Sequence, residues 1–119
     1  MLMTSDDALS PRQIVARYFE MWNTGDVSIA SEILHPDWVD HAHPEVAGPD
    51  GVREAVEQLR AARPDLRFEI ESILGEEDLV VAVGTVGQTA QDPSTRLVWL
   101  VRMKDGQMAD LRTYRDISE

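Results

Sequence analysis

At Arg63-Pro64 the apolar pattern of this chain changes period, and that change constrains the fold more than any other feature. Before it, apolar residues recur every three or four positions; after it, they alternate or cluster with β-branched residues. Helices therefore come first and antiparallel strands later. That order specifies an α+β class, with the helices packed on one face of a curved sheet. A chain of 119 residues has room for one hydrophobic core. Residues 1–9 read as a flexible acidic lead-in and residues 10–119 as a single domain.

The first helix is marked by Ser10-Pro11-Arg12-Gln13, which has the form of a capping box with proline at the first helical position. Ile14, Val15, Tyr18, Phe19 and Trp22 give it one apolar stripe, and it ends near Asn23-Thr24-Gly25. Asp26 caps a second, shorter helix that runs through Leu34 and stops at His35-Pro36. Trp38-Val39-Asp40-His41 reads as a short strand, and a loop follows to Gly48. Pro49 opens a third helix, in which Val52, Val56 and Leu59 repeat at helical spacing up to Arg63-Pro64. Strands are expected over 67–74, 79–89, 96–103 and 107–115, with a hairpin signal at Lys104-Asp105-Gly106.

Charge and composition exclude several kinds of partner. Eleven Lys and Arg against 22 Asp and Glu give a net charge of -11, a field that repels phosphate backbones and anionic headgroups. No nucleic-acid or membrane partner is expected. Without cysteine there is no disulfide, thiolate metal site or cysteine nucleophile. The acidic N-terminus lacks the basic start and apolar run of a secretory signal, so a cytoplasmic location is expected.

Leu97-Val98-Trp99-Leu100-Val101 is apolar at every position, which asks for burial on both faces of a strand. One face can meet the helices. The cover for the other is a second subunit in a homodimer, or else a loop or terminus of the same chain.

Several short segments then carry a resemblance. Ile14 to Asp26, with Arg17-Tyr18 and Asn23-Thr24-Gly25-Asp26, looks like the first helix of the nuclear transport factor 2-like superfamily. His35 to His41, Gly48-Pro49-Asp50-Gly51-Val52-Arg53 and Pro64-Asp65-Leu66-Arg67-Phe68 resemble the SnoaL-like polyketide cyclase family within it. The resemblance implies a cone-shaped sheet which, with three N-terminal helices, encloses one deep apolar pocket. It also implies a homodimer and chemistry without a cofactor. The family's cyclases use an aspartate on the last strand as acid/base, with a histidine beside it on the preceding strand. Carried across the Asp105-Gly106 hairpin, those positions hold Thr113 and Trp99 here, and neither exchanges protons near neutrality.

The candidate catalytic residues are His41 and Tyr18. With Val39 taken as a core residue, His41 shares its face and points into the cavity, while Trp38 and Asp40 fall on the other face. Allowing a one-residue gap, His41 matches the catalytic aspartate of the similar ketosteroid isomerases. Tyr18 matches their oxyanion-stabilising tyrosine. The alternatives are a half-buried structural histidine and a core aromatic. Trp22, Val39, Trp99 and Thr113 are the expected pocket lining, and Arg112, Tyr114 and Asp116 a dimer-facing or rim row. His35, His41, His43 and Asp40 lie close in sequence, but no distant ligand pair completes a metal site, so none is expected. The sequence thus supports a cyclase or isomerase acting on a hydrophobic carbonyl substrate. The other reading is a binding or accessory domain that kept the pocket without the chemistry.

Overall fold

The computed structural model describes residues 9–87 and 95–115. The expected lead-in therefore lies, all but Leu9, outside the described residues, as does Asp116. Helix α1 (Pro11–Thr24) starts on a complete capping box: Ser10 Oγ accepts from the Gln13 N–H at 3.2 Å, and Gln13 Oε1 accepts from the Ser10 N–H at 2.8 Å. It stops at Gly25, whose φ of 81° lets its N–H turn back to the Met21 carbonyl. Ile14, Val15, Tyr18, Phe19 and Met21 are its buried residues.

Only part of the expected second helix forms. A 3-10 turn over Val27–Ile29, capped by Asp26, leads into a single α-helical turn, α2 (Ala30–Ile33). Two bonds from Ser28, through its N–H and its hydroxyl, hold the Asp26 carboxyl below the usual range. The chain is already extended at Leu34, so β1 (Leu34–Asp40) begins four residues before Trp38 and carries Pro36 within it. Proline is tolerated there because β1 is an edge strand. Helix α3 (Gly48–Ala62) follows, its end fastened by Arg60, which donates to the Leu66 carbonyl at 2.6 Å and to the Pro64 carbonyl.

Strands β2 (Arg67–Glu76), β3 (Leu79–Gly87), β4 (Thr95–Lys104) and β5 (Gln107–Arg115) form an antiparallel meander. The turn between β4 and β5 has positive φ at both Asp105 (55°) and Gly106 (79°), the twist that a two-residue hairpin needs. The sheet is mixed, because β1 pairs in parallel with β5 and gives the order β1-β5-β4-β3-β2. It stays open. Its bend is built by shifts of register, one between Ile70 and Ser72 of β2 and one between Arg102 and Met103 of β4. Opposite the first shift, Gly84 is packed so tightly that a Cβ would stand 2.3 Å from the Glu69 carbonyl oxygen.

The concave face carries Val80, Ala82, Trp99, Val101, Met108 and Leu111 against α1 and against Val52 and Val56 of α3. The convex face of β3 and β4 carries Val81, Val83, Val98 and Leu100, all only half-buried, with Leu74 and Tyr114 exposed nearby. Among the described residues, then, the run from Leu97 to Val101 buries Trp99 and Val101 and leaves Val98 and Leu100 half-buried on its other face.

Candidate active site

Between α1, α3 and the concave sheet lies a cavity of about 560 Å³, in the size range of small-molecule sites. Helix α1 supplies Tyr18, Phe19 and Trp22 at three- and four-residue intervals, so all three emerge on one side. Phe68 of β2 and Trp99 of β4 face them. The Phe19 and Trp99 rings are 4.7 Å apart, and Trp22 and Phe68 are 6.0 Å apart. Asn23 fixes the mutual position of the two walls. Its side-chain amide donates to the Phe68 carbonyl and its oxygen accepts the Phe68 N–H, both at 2.8 Å, so it imitates a neighbouring strand.

Strand β1 brings in the only buried carboxylate among the described residues. Asp40 is 9% exposed and lines the cavity. One carboxylate oxygen accepts the Ala42 N–H at 2.9 Å, and its backbone carbonyl takes the His43 N–H, so the strand ends in a tight turn that aims the side chain inward. This reverses the facing expected from Val39. Trp38, 1% exposed, is the core residue of this strand, and Asp40 shares its side. The larger ring takes the inside, where it removes more apolar surface from water than Val39 would.

His41 and Val39 consequently lie outside the cavity. The His41 N–H extends the ladder to the Leu111 carbonyl, while its exposed side chain has Nε2 3.9 Å from Asp110 Oδ1. Tyr18, Trp22, Trp99 and Thr113 do line it. Trp99 and Thr113 are cross-strand partners, side by side on the β4–β5 wall. The carboxylate therefore comes from β1 and not from the last strand. Asp40, Phe19 and Phe68 are among the lining residues that the expected set lacks. Anchoring the β1 alternation on Trp38 would have found Asp40.

Burial holds the Tyr18 hydroxyl well above the ordinary phenol value of 10.0; the charge of Asp40 adds to the rise, and the Trp22 indole N–H acts weakly against it. Tyr18 is thus a permanent hydrogen-bond donor. A raised folded-state pKa contributes stability that is fully present below the unfolded value, near pH 10, and is lost as pH climbs toward the folded one. Tyr114→Phe leaves Tyr18 as the sole tyrosine. Its ultraviolet titration is expected to show no phenolate until the fold is lost above about pH 10. Phenolate appearing at lower pH with tertiary structure intact would contradict this.

The three histidines diverge. His35 Nδ1 accepts the Asp37 N–H, His41 is on the convex side, and His43 stands at the cavity mouth 3.6 Å from Glu45. Among the described residues no three His, Asp or Glu side chains converge on one point. No helix there is long and apolar enough to cross a membrane.

Comparison with solved structures finds the same fold repeatedly. A candidate polyketide cyclase from Bacillus cereus superposes with a TM-score of 0.71 at 21% identity, covering 87% of this chain and 72% of that one. IdmH, a candidate polyketide cyclase from Streptomyces antibioticus, gives 0.70 at 22% identity, covering 89% and 91%. A SnoaL-like polyketide cyclase from Agrobacterium tumefaciens gives 0.72 at 16% identity, covering 97% and 93%. A search of curated proteins finds no match. The model of the SnoaL-like domain matches residues 15–111, nearly the whole described fold. The chain belongs to the SnoaL-like domain family, with its nuclear transport factor 2-like architecture.

Proposed function

We propose that this protein is a cofactor-independent cyclase or isomerase that turns over a hydrophobic, polyketide-like carbonyl compound through an enol or enolate. The observation that carries the reading is the buried Asp40 carboxylate sharing one aromatic cavity with the protonated Tyr18 phenol. Asp40 takes the role read for His41, since it is Asp40 that lines the cavity. A carboxylate oxygen removes a proton from the carbon beside the carbonyl, and the electron pair moves onto the carbonyl oxygen. Tyr18 donates a hydrogen bond to that oxygen, an interaction worth roughly 3 kcal/mol in comparable oxyanion sites. The proton returns from Asp40 to another carbon in an isomerisation. In a cyclisation the enolate carbon bonds to a second carbonyl carbon, and the proton goes to the new alkoxide. The net charge of the cavity stays constant throughout, because Asp40 becomes neutral as the enolate forms. The apolar walls exclude water from both ions.

One observation favours a second reading, a binding domain without turnover: Thr113 and Trp99, which the resemblance matches to the acid/base pair of the family's cyclases, are cross-strand partners on the cavity wall, and neither exchanges protons near neutrality. Proton exchange into β-tetralone in deuterated water, followed by NMR, separates the two. Exchange above background supports the enzyme. Its absence, with hydrophobic ligands still raising the melting temperature, supports the binder.

The active unit is proposed to be a cytoplasmic homodimer. The half-buried apolar convex face supports a self-complementary interface about a two-fold axis. Sedimentation is expected to give a dimer, converted to a folded monomer by Leu100→Glu. A monomeric parent protein would contradict the assembly.

A further inference from the structure

The eleven basic side chains of the chain are all among its described residues, because 1–8, 88–94 and 116–119 contain neither Lys nor Arg. None of the eleven lines the cavity. Four of them have partners elsewhere: the carbonyls after α3 for Arg60, Asp50 for Arg53, Glu32 for Arg17 and Glu71 for Arg96. The ionisable groups that do line it are Tyr18, Asp40, His43 and Glu45, and His43 stands 3.6 Å from the Glu45 carboxylate at the mouth. Asp40 is buried with a backbone N–H as its partner and lines the cavity together with Tyr18, Phe19 and Trp99. An anion entering this space meets two carboxylates and no basic side chain. A cation meets the buried Asp40 carboxylate as a counter-charge, in a cavity walled by aromatic residues.

We infer that the cavity is a charge filter: it admits apolar amines, holding the ammonium against Asp40, and rejects apolar carboxylates of the same shape. This rests on the reading of the cavity as a ligand site and adds to it a ligand class, but it does not depend on turnover.

The test uses three ligands on one bicyclic skeleton, a naphthylmethylamine, a naphthylmethanol and a naphthoate. Each is titrated calorimetrically into the full chain at an ionic strength high enough to screen the surface charge. The amine is expected to bind about tenfold more tightly than the alcohol, as a charge-assisted hydrogen bond does over a neutral one, and the carboxylate about tenfold more weakly still. In Asp40→Asn the amine falls to the alcohol's affinity while the alcohol's own stays within about threefold, which also reports that the cavity is intact. A naphthoate that binds as well as the alcohol overturns the inference. So does an amine preference that survives in Asp40→Asn, since the acidic surface would then be its source, and so does failure of all three to bind. Proton exchange without charge preference removes this inference and leaves the enzyme. Charge preference without exchange does the reverse.

Discussion

Asp40→Asn is expected to slow proton exchange into β-tetralone by about 10²–10⁴, the usual contribution of a positioned general acid/base. Asparagine has the same shape, and its amide oxygen can still accept the Ala42 N–H, so the turn after β1 survives and the loss reports the missing base. His41→Ala is expected to remain within about threefold of the parent, as an exposed substitution away from the cavity should. The two variants together discriminate sharply, because the residues are adjacent in sequence and face opposite sides of the sheet. Loss of exchange in His41→Ala with retention in Asp40→Asn would reverse the assignment. The measurement needs the initial rate of each variant at one pH and matched protein concentration, with circular dichroism to show that both are folded.

The largest expected loss of stability comes from Trp38→Ala. Trp38 is the bulkiest fully buried side chain, and its ring lies 5.7 Å from Tyr18. Truncation removes its transfer energy and leaves a void, at a cost of about 3–5 kcal/mol. For a domain of this size that lowers the melting temperature by roughly 10–20 °C. The indole N–H has no hydrogen-bond partner among the described residues, so Trp38→Phe forfeits volume and no polar contact. It is expected to cost only about 1–2 kcal/mol. Denaturant midpoints at constant slope would measure both. A Trp38→Ala midpoint near that of the parent would mean that the ring is not holding the β1 side of the core.

What the sequence revealed was local. The capping box at Ser10 and Gln13 and the Asp105-Gly106 turn depend on residues two or three apart, and both stand as read. The apolar stripe of α1 located Tyr18 and Trp22, because helical spacing alone fixes which side chains emerge together. Strand β1 was less legible. Its length and facing depend on Leu34 and Asp40 pairing with Met108 and Leu111, far along the chain, and His35-Pro36 looks like a break to any reading confined to neighbours. A four-residue segment with apolar groups at both Trp38 and Val39 does not say which of them goes inward. The competition is decided by the space beside Tyr18, which exists only once the helices are packed. Asn23 illustrates the same limit: its sequence context is a helix end, while its work is to join α1 to the backbone of Phe68.

The parallel ladder between β1 and β5 sets the order in which this molecule can mature. Residue 40 lies opposite residue 111, so the carboxylate gains its bearing only after nearly the entire polypeptide has been threaded into place. The meander from β2 to β5 can assemble from near neighbours, with each strand beside the next in sequence. A chain whose meander has formed but whose first strand has not yet docked would thus lack the one acidic group that, among the described residues, the hollow buries.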